Sequence, residues 1–285
     1  MRRLPYLGTY YGHLDVPMAA LCGNFVIVDA ATLLHTPGLL ARILAFAHLK
    51  VVVQIHILDE VWRDDPGFEW VQLAHIREGL RAAGALGRVV GVIVDEECML
   101  GAYAGTRFRH VPGARSSDPY TRVDWCHARW SDALRQVKAA FPGVPVGAVE
   151  TCWYGRRDFG PAYYRPVLAE ADFLGVDAYV HGPITREAFD RQVAPILAAA
   201  GSHGKPVLVV GQAFRDGDRQ MPTAWQMQWW LDAAPPTTVG LAWFTLVHPG
   251  RDDPATHGDG RGLVDAPAQL EAARWYARVC GVVPA

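Results

Sequence analysis

An α/β fold closed as a (β/α)8 TIM barrel, in a single domain over residues 1–285, is what the sequence predicts. Three observations carry that reading. Short β-branched or aromatic runs alternate with longer amphipathic, Ala/Leu/Arg-rich segments from end to end, which is the pattern of βα units on a parallel sheet. The runs number eight, which suits a closed barrel better than an open doubly wound sheet. No GxGxxG or Walker loop is present, so nothing marks the nucleotide-binding turn of an open sheet.

In chain order, strands are expected at 5–10 (PYLGTY), 24–29 (NFVIVD), 50–57 (KVVVQIHI), 88–95 (RVVGVIVD), 144–150 (VPVGAVE), 172–179 (DFLGVDAY), 205–211 (KPVLVVG) and 239–245 (VGLAWFT). Helices are expected at 37–48, 67–84, 121–140, 161–170, 185–200, 222–234 and 267–280. Pro37, Pro161, Pro222 and Pro267 fall at or near first turns, where a missing N–H is not needed, and Gly84 and Gly201 follow helices. The gap between the first two strands is short, so the first helix is expected to shrink to a turn around Val16 to Leu21.

The fourth strand is the most informative stretch. Val89, Val90, Val92, Ile93 and Val94 around Gly91 read as a strand buried on both faces, and it ends in Asp95, Glu96 and Glu97. Carboxylates are too costly to bury unpaired, so the strand must run out of the core into a polar, concave place. Strand alternation puts Asp95 and Glu97 on one face and Glu96 on the other, and it favours Glu97 as the acid pointing into the barrel mouth.

Composition narrows the function classes. With 51% hydrophobic residues the chain can bury one large core, and a net charge of −2 with both signs scattered throughout leaves no footprint for nucleic acid or an anionic membrane. No apolar run is long enough for a membrane span or a signal-peptide core. The five cysteines are widely spaced with no CxxC, which points to free thiols, a reducing, cytoplasmic setting and no zinc site. The alternative is a secreted protein whose leader has been removed.

In such a barrel the active site lies at the carboxyl ends of the strands, so the fold becomes a residue roster. The ends carry Tyr10, Tyr11 and His13; Asp29; His56 with Asp59 and Glu60; Asp95, Glu96 and Glu97; Glu150 with Trp153 and Tyr154; Asp177, Tyr179 and His181; Gln212; and Trp243 with His248. Carboxylates and aromatics dominate, and a phosphate cradle is missing. Rings stack on pyranose faces while carboxylates protonate a glycosidic oxygen and support a cationic anomeric centre, so this mixture suits a sugar site. Asp29, Asp59 and Glu60 are equally well read as helix caps or loop acids, and Glu150 as an ion-pair partner of Arg156 or Arg157. Trp225, Trp229 and Trp230 read as helix packing rather than ligand contacts. No HxH or HExxH spacing supports a metal site from His56, His181 and His248, and no cofactor is expected.

On these residues the chain resembles the (β/α)8 glycoside hydrolases. GKPVLVVGQ (204–212) is similar to the seventh strand of the retaining cellulase and β-mannanase superfamily, and VGLAWF to its eighth, whose Trp stacks on substrate. That resemblance implies Glu96 as acid/base, while the nucleophile position falls on Gly211 with Gln212 beside it. GVIVDEE (91–97) also resembles the fourth strand of the chitinase-type hydrolases, and DAYV (177–180) part of their sixth; this implies Glu97 as acid with Asp95 beside it.

The leading expectation is therefore a glycoside hydrolase-like enzyme acting on an oligo- or polysaccharide. Glu97 would be the acid tuned by Asp95, with Glu96 and Glu150 as further catalytic carboxylates. Tyr10, Asp29, His56, Trp153, Tyr179, Gln212, Trp243 and His248 would bind the sugar. The rivals are a carbohydrate-binding barrel that has lost catalysis and a barrel hydrolase or lyase of different chemistry.

Overall fold

The structure, a computed structural model, describes residues 4–10, 16–57, 68–98, 101–102, 116–150, 165–215, 217–244 and 262–282. Its strands are β1 (Tyr6–Tyr10), β2 (Phe25–Asp29), β3 (Lys50–Ile55), β4 (Val89–Glu96), β5 (Val146–Val149), β6 (Phe173–Asp177), β7 (Val207–Gln212) and β8 (Thr238–Phe244). All pair in parallel with their chain neighbours, and β1 returns to β8 with Thr9 opposite Trp243, closing the barrel. The expected fold class is the observed one.

Alternation along each strand divides the core into two layers. Phe25, Ile27, Val52, Ile93, Val149, Phe173, Leu208, Val210 and Ala242 fill the barrel with Tyr10 above them. Their neighbours, among them Val26, Val53, Val92, Val94, Val176, Val209 and Leu241, face the surrounding helices. Gly147 makes room for the Phe173 ring, since a Cβ there would lie 2.6 Å from it.

The helices are α1 (Val16–Cys22), α2 (Ala30–His35), α3 (Leu39–Leu44), α4 (Phe68–Ala82), α5 (Pro119–Ala140), α6 (Arg165–Glu170), α7 (Arg186–Gln192), α8 (Ala194–Ser202), α9 (Ala224–Ala233) and α10 (Pro267–Cys280). Three departures from expectation have local causes. The helix expected over 37–48 is the short α3, preceded by α2, whose first turn is capped where Thr32 N donates to Asp29 Oδ1 at 2.8 Å. The helix expected over 185–200 breaks at Val193, and Pro195, which has no N–H to continue the ladder, falls in the first turn of α8. Gly201 lies within α8, where a Cβ would come 2.4 Å from Pro235, and the residue that turns the chain with φ +70° is Gly204.

Two buried indoles from the helix layer fix strand ends below the rim. Trp130 of α5 donates to the Val94 carbonyl at 2.7 Å, and Trp230 of α9 donates to the Ala178 carbonyl at 3.0 Å. Each satisfies a backbone oxygen where ladder pairing runs out, so the loops that carry functional groups start from fixed points.

Candidate active site

The site is organised by an irregularity in β4. Between Ile93 and Glu96 the strand advances three residues while β5 advances two, from Gly147 to Val149, which is a β-bulge. Asp95 takes φ 56° and Glu97 φ 50°, a left-handed conformation that non-glycine residues adopt at a cost of about 1–3 kcal/mol each. The extended alternation expected here therefore stops at Asp95. The extra residue reverses the parity, and Glu96 turns into the barrel.

There Glu96 meets two inward-facing residues, Gln54 of the adjacent β3 and Tyr10 of β1. Tyr10 Oη donates to Glu96 Oε2 at 2.8 Å and lies equally close to Gln54 Oε1, while Gln54 Nε2 donates to Glu96 Oε2 at 3.0 Å. Tyr10 and Gln54 are fully buried, so these donors fix one carboxyl rotamer from below. Asp95 is itself fully buried behind the bulge, and Glu97 is half-buried beyond it.

Asp177, at the inward end of β6, completes the cluster. Its carboxyl is raised well above the ordinary value by burial first, then by the charges of Glu97, Glu96 and Glu150, and by a hydrogen bond with Glu96. Two carboxyls this close do not both ionise readily, and the one whose proton is retained is Asp177. The ends of β4, β5 and β6 thus gather four acids, and the charges of the other three help to keep Asp177 protonated.

Aromatic rings wall the other side. Tyr10 packs edge-on against Phe244 at 5.4 Å, Phe244 lies 6.0 Å from Tyr179, and Phe214 contacts Tyr179 at 5.1 Å and Phe244 at 5.2 Å. Burial, followed by the charges of Asp177, Glu96 and Glu97, pushes the Tyr179 hydroxyl well above its usual value, and Arg219 opposes that shift. Tyr179 remains a neutral phenol. The guanidinium of Arg219 stands 5.7 Å from both the Tyr179 and Phe214 ring centres.

Several expected sugar contacts take other parts. Trp243 is fully buried and shares its parity with Leu241, so it faces the helix layer, 6.4 Å from Tyr276, and cannot stack on a ligand in the barrel mouth. Phe244 takes the inward place. Gly211 also faces outward, toward Trp243 and Trp230, so the inward residue at the end of β7 is Gln212. Gln212 is fully buried and committed to the backbone, accepting from Val180 N at 2.9 Å and donating to Gln220 O at 2.7 Å.

Asp29 caps α2 and approaches His56 Nε2 at 3.6 Å, at the ends of β2 and β3; His56 Nδ1 is buried with no partner among the described residues. His181 is exposed and pairs with Asp218 at 3.3 Å, away from His56. Among the described residues no group of three or more His, Cys, Asp or Glu is arranged to hold a metal ion. Trp153 and His248 lie outside the described residues, as do Tyr11, His13, Asp59, Glu60, Tyr154, Arg156 and Arg157. Among the described residues no helix is long and apolar enough to cross a membrane.

Phe214, Phe244 and Arg219 were not marked by the sequence. Phe244 shares one face of β8 with Gly240 and Ala242, but with Trp243 beside it the alternation gives no sign of which face turns inward. Arg219 has no such alternation, because it reaches the rim through a loop that bridges to Gly182.

No family model and no curated protein matches the chain. Solved structures do. An endo-β-1,3-glucanase of glycoside hydrolase family 128 from Amycolatopsis mediterranei aligns over 95% of this chain and 99% of its own, at 14% identity and a TM-score of 0.53. A family 1 β-glucosidase from Thermotoga maritima covers 94% of this chain and 85% of its own, at 14% identity and TM-score 0.58. A family 18 chitinase from Pseudoalteromonas aurantia covers 84% and 93%, at 13% identity and TM-score 0.51. The chain shares the (β/α)8 barrel of these glycoside hydrolases.

Proposed function

We propose that this barrel hydrolyses glycosidic bonds of an oligo- or polysaccharide, with Glu96 as the group that hands a proton to the departing oxygen. The observation that carries the reading is the Glu96 carboxyl, held by Tyr10 and Gln54 and joined to the proton-bearing Asp177 in the mouth of the barrel. The expectation that favoured Glu97 rested on an extended chain at Asp95, and the bulge removes that ground. The barrels it resembles in fold, at low identity, are glycoside hydrolases, which supports the class of reaction and no finer assignment.

In this reading the proton that Asp177 retains is relayed through Glu96 to the glycosidic oxygen as the C1–O bond breaks, its electron pair leaving with the oxygen. Glu97 and Glu150 supply the negative charge that the cationic anomeric carbon needs. Water adds to C1, and its proton returns to the carboxylates. Tyr10 and Gln54 hold Glu96 in place, and the rings of Tyr179, Phe214 and Phe244 offer an apolar wall for the sugar.

A second reading, a glycan-binding barrel without turnover, is favoured by one observation: the inward end of β7 presents an amide, Gln212, with both its polar atoms engaged. Release of reducing ends from a polysaccharide panel separates the two. Turnover that is lost in Glu96→Gln, with the fold intact by circular dichroism, supports the hydrolase. Glycan affinity without product, unaltered in Glu96→Gln, supports the binding protein.

A further inference from the structure

Arg219 is a cation that pairs with no acid among the described residues. Among the described residues its guanidinium has no ion pair, and its buried Nε has no hydrogen-bond acceptor. The acid next to it in sequence, Asp218, is occupied by His181 at 3.3 Å. A guanidinium is ordinarily matched to a carboxylate or phosphate through its planar fork, and leaving one unmatched beside a ligand cleft calls for a partner from outside.

Two features make it a prepared group. The rings of Tyr179 and Phe214 each lie 5.7 Å from its central carbon, and the backbone of Arg219 bridges to Gly182, so the side chain is ordered before any ligand arrives. It also belongs to the site already described. Tyr179 packs on Phe244 at 6.0 Å, Phe244 on Tyr10 at 5.4 Å, and Tyr10 bonds Glu96 at 2.8 Å. The acids stand at the ends of β4, β5 and β6, so an anionic substrate group placed against them would be repelled, and one placed beyond the Tyr179 ring would meet Arg219.

We propose that Arg219 forms a carboxylate-binding subsite, and that the sugar it receives is a uronic acid within the glycan. The proposal rests on the site being a glycan site, and it adds the substrate's charge and the residue that reads it. A carboxylate presents two coplanar oxygens to the fork, whereas a neutral hydroxymethyl group in the same place leaves the guanidinium unmatched.

The test is titration calorimetry on the whole chain with glucuronate, galacturonate and their short oligomers, against glucose, cello-oligosaccharides and a sulfated glucose. Wild type, Arg219→Lys and Arg219→Gln are compared, with circular dichroism and thermal melting to confirm folding. Wild type is expected to prefer a uronate over its neutral counterpart by about ten- to a hundredfold, with that preference lost in Arg219→Gln and reduced in Arg219→Lys. Equal binding of uronate and neutral sugar, a preference unchanged in Arg219→Gln, a stronger preference for the sulfate, or no binding of any uronate would each overturn it. Product release is read separately on the same ligands. Arg219-dependent uronate binding without product upholds the subsite while removing the hydrolase, and turnover of neutral glycans with indifference to Arg219 does the reverse.

Discussion

Around the same rim, β4 ends in a bulge with two non-glycine residues at positive φ, whereas β7 pairs in step with β8 from Leu208 to its last residue, Gln212 opposite Phe244. At β4 the polar ends are acids gathered beside Asp177, whose proton their charges help to hold. At β7 the polar end is an amide with donor and acceptor both used on backbone. Strain and crowded like charge are retained where something else gains from them; complete satisfaction serves the fold. By that contrast the proposed chemistry belongs to the β4 end, and β7 ends in a strut between the loops that follow β6 and β7.

Breaking the β4 side should give the largest effect. Glu96→Gln keeps the volume and the donors from Tyr10 and Gln54 but removes the transferable proton, so turnover should fall by about a hundred- to ten-thousandfold with little change in melting temperature. Steady-state kinetics beside a thermal melt tests this, and unchanged turnover would remove Glu96 from the reaction. Glu97→Gln, which deletes only a nearby charge in this reading, should cost less than Glu96→Gln in the same assay.

The β7 side should answer in stability. Gln212→Ala leaves the Val180 N–H and the Gln220 carbonyl without their buried partner, a loss of about 3 kcal/mol by denaturant unfolding. A smaller loss, about 2 kcal/mol, is expected for Gly211→Ala, because the new Cβ would fall 2.7 Å from the Trp243 ring and the helix layer would have to shift. If Gly211→Ala instead altered substrate affinity and left stability alone, the outward placing of Gly211 and Trp243 would be wrong.

How far the sequence could be read follows from the range of the interactions involved. The strands were legible because β-branched runs such as 50–55 and 89–94 are local signals, and the carboxyl-end rule then named acids and the Tyr10 that the structure brings together. Parity was not legible at two places. At Asp95 the extra residue is defined only against β5, so the choice of Glu97 over Glu96 depended on a pairing that the β4 sequence does not contain. At Trp243 and Phe244, two adjacent aromatics offer both faces, and the larger ring was the wrong one to turn inward. Asp177 stood at its strand end in plain view, but its contact with Glu96 joins β6 to β4 across the barrel interior. Arg219 had no periodic context at all.

The subtlest difference between the two ends should lie in a slope. Asp177 holds its proton in the folded chain to a pH well above the ordinary value of 3.8, whereas the unfolded chain releases it near that value. Over the interval between the two, the unfolded state binds fewer protons, so the folded state loses stability as the pH rises; below the lower value the group contributes no penalty. Asp177→Asn removes the titration and should flatten this part of the stability profile, becoming more stable relative to wild type as the pH climbs from about 4 toward 8. Gln212 has no titrating group, so in Gln212→Ala the curve should drop in parallel with wild type across the same range. Urea unfolding at several pH values compares the two. A wild-type slope retained in Asp177→Asn would mean that the strained end of the barrel does not store its proton on β6.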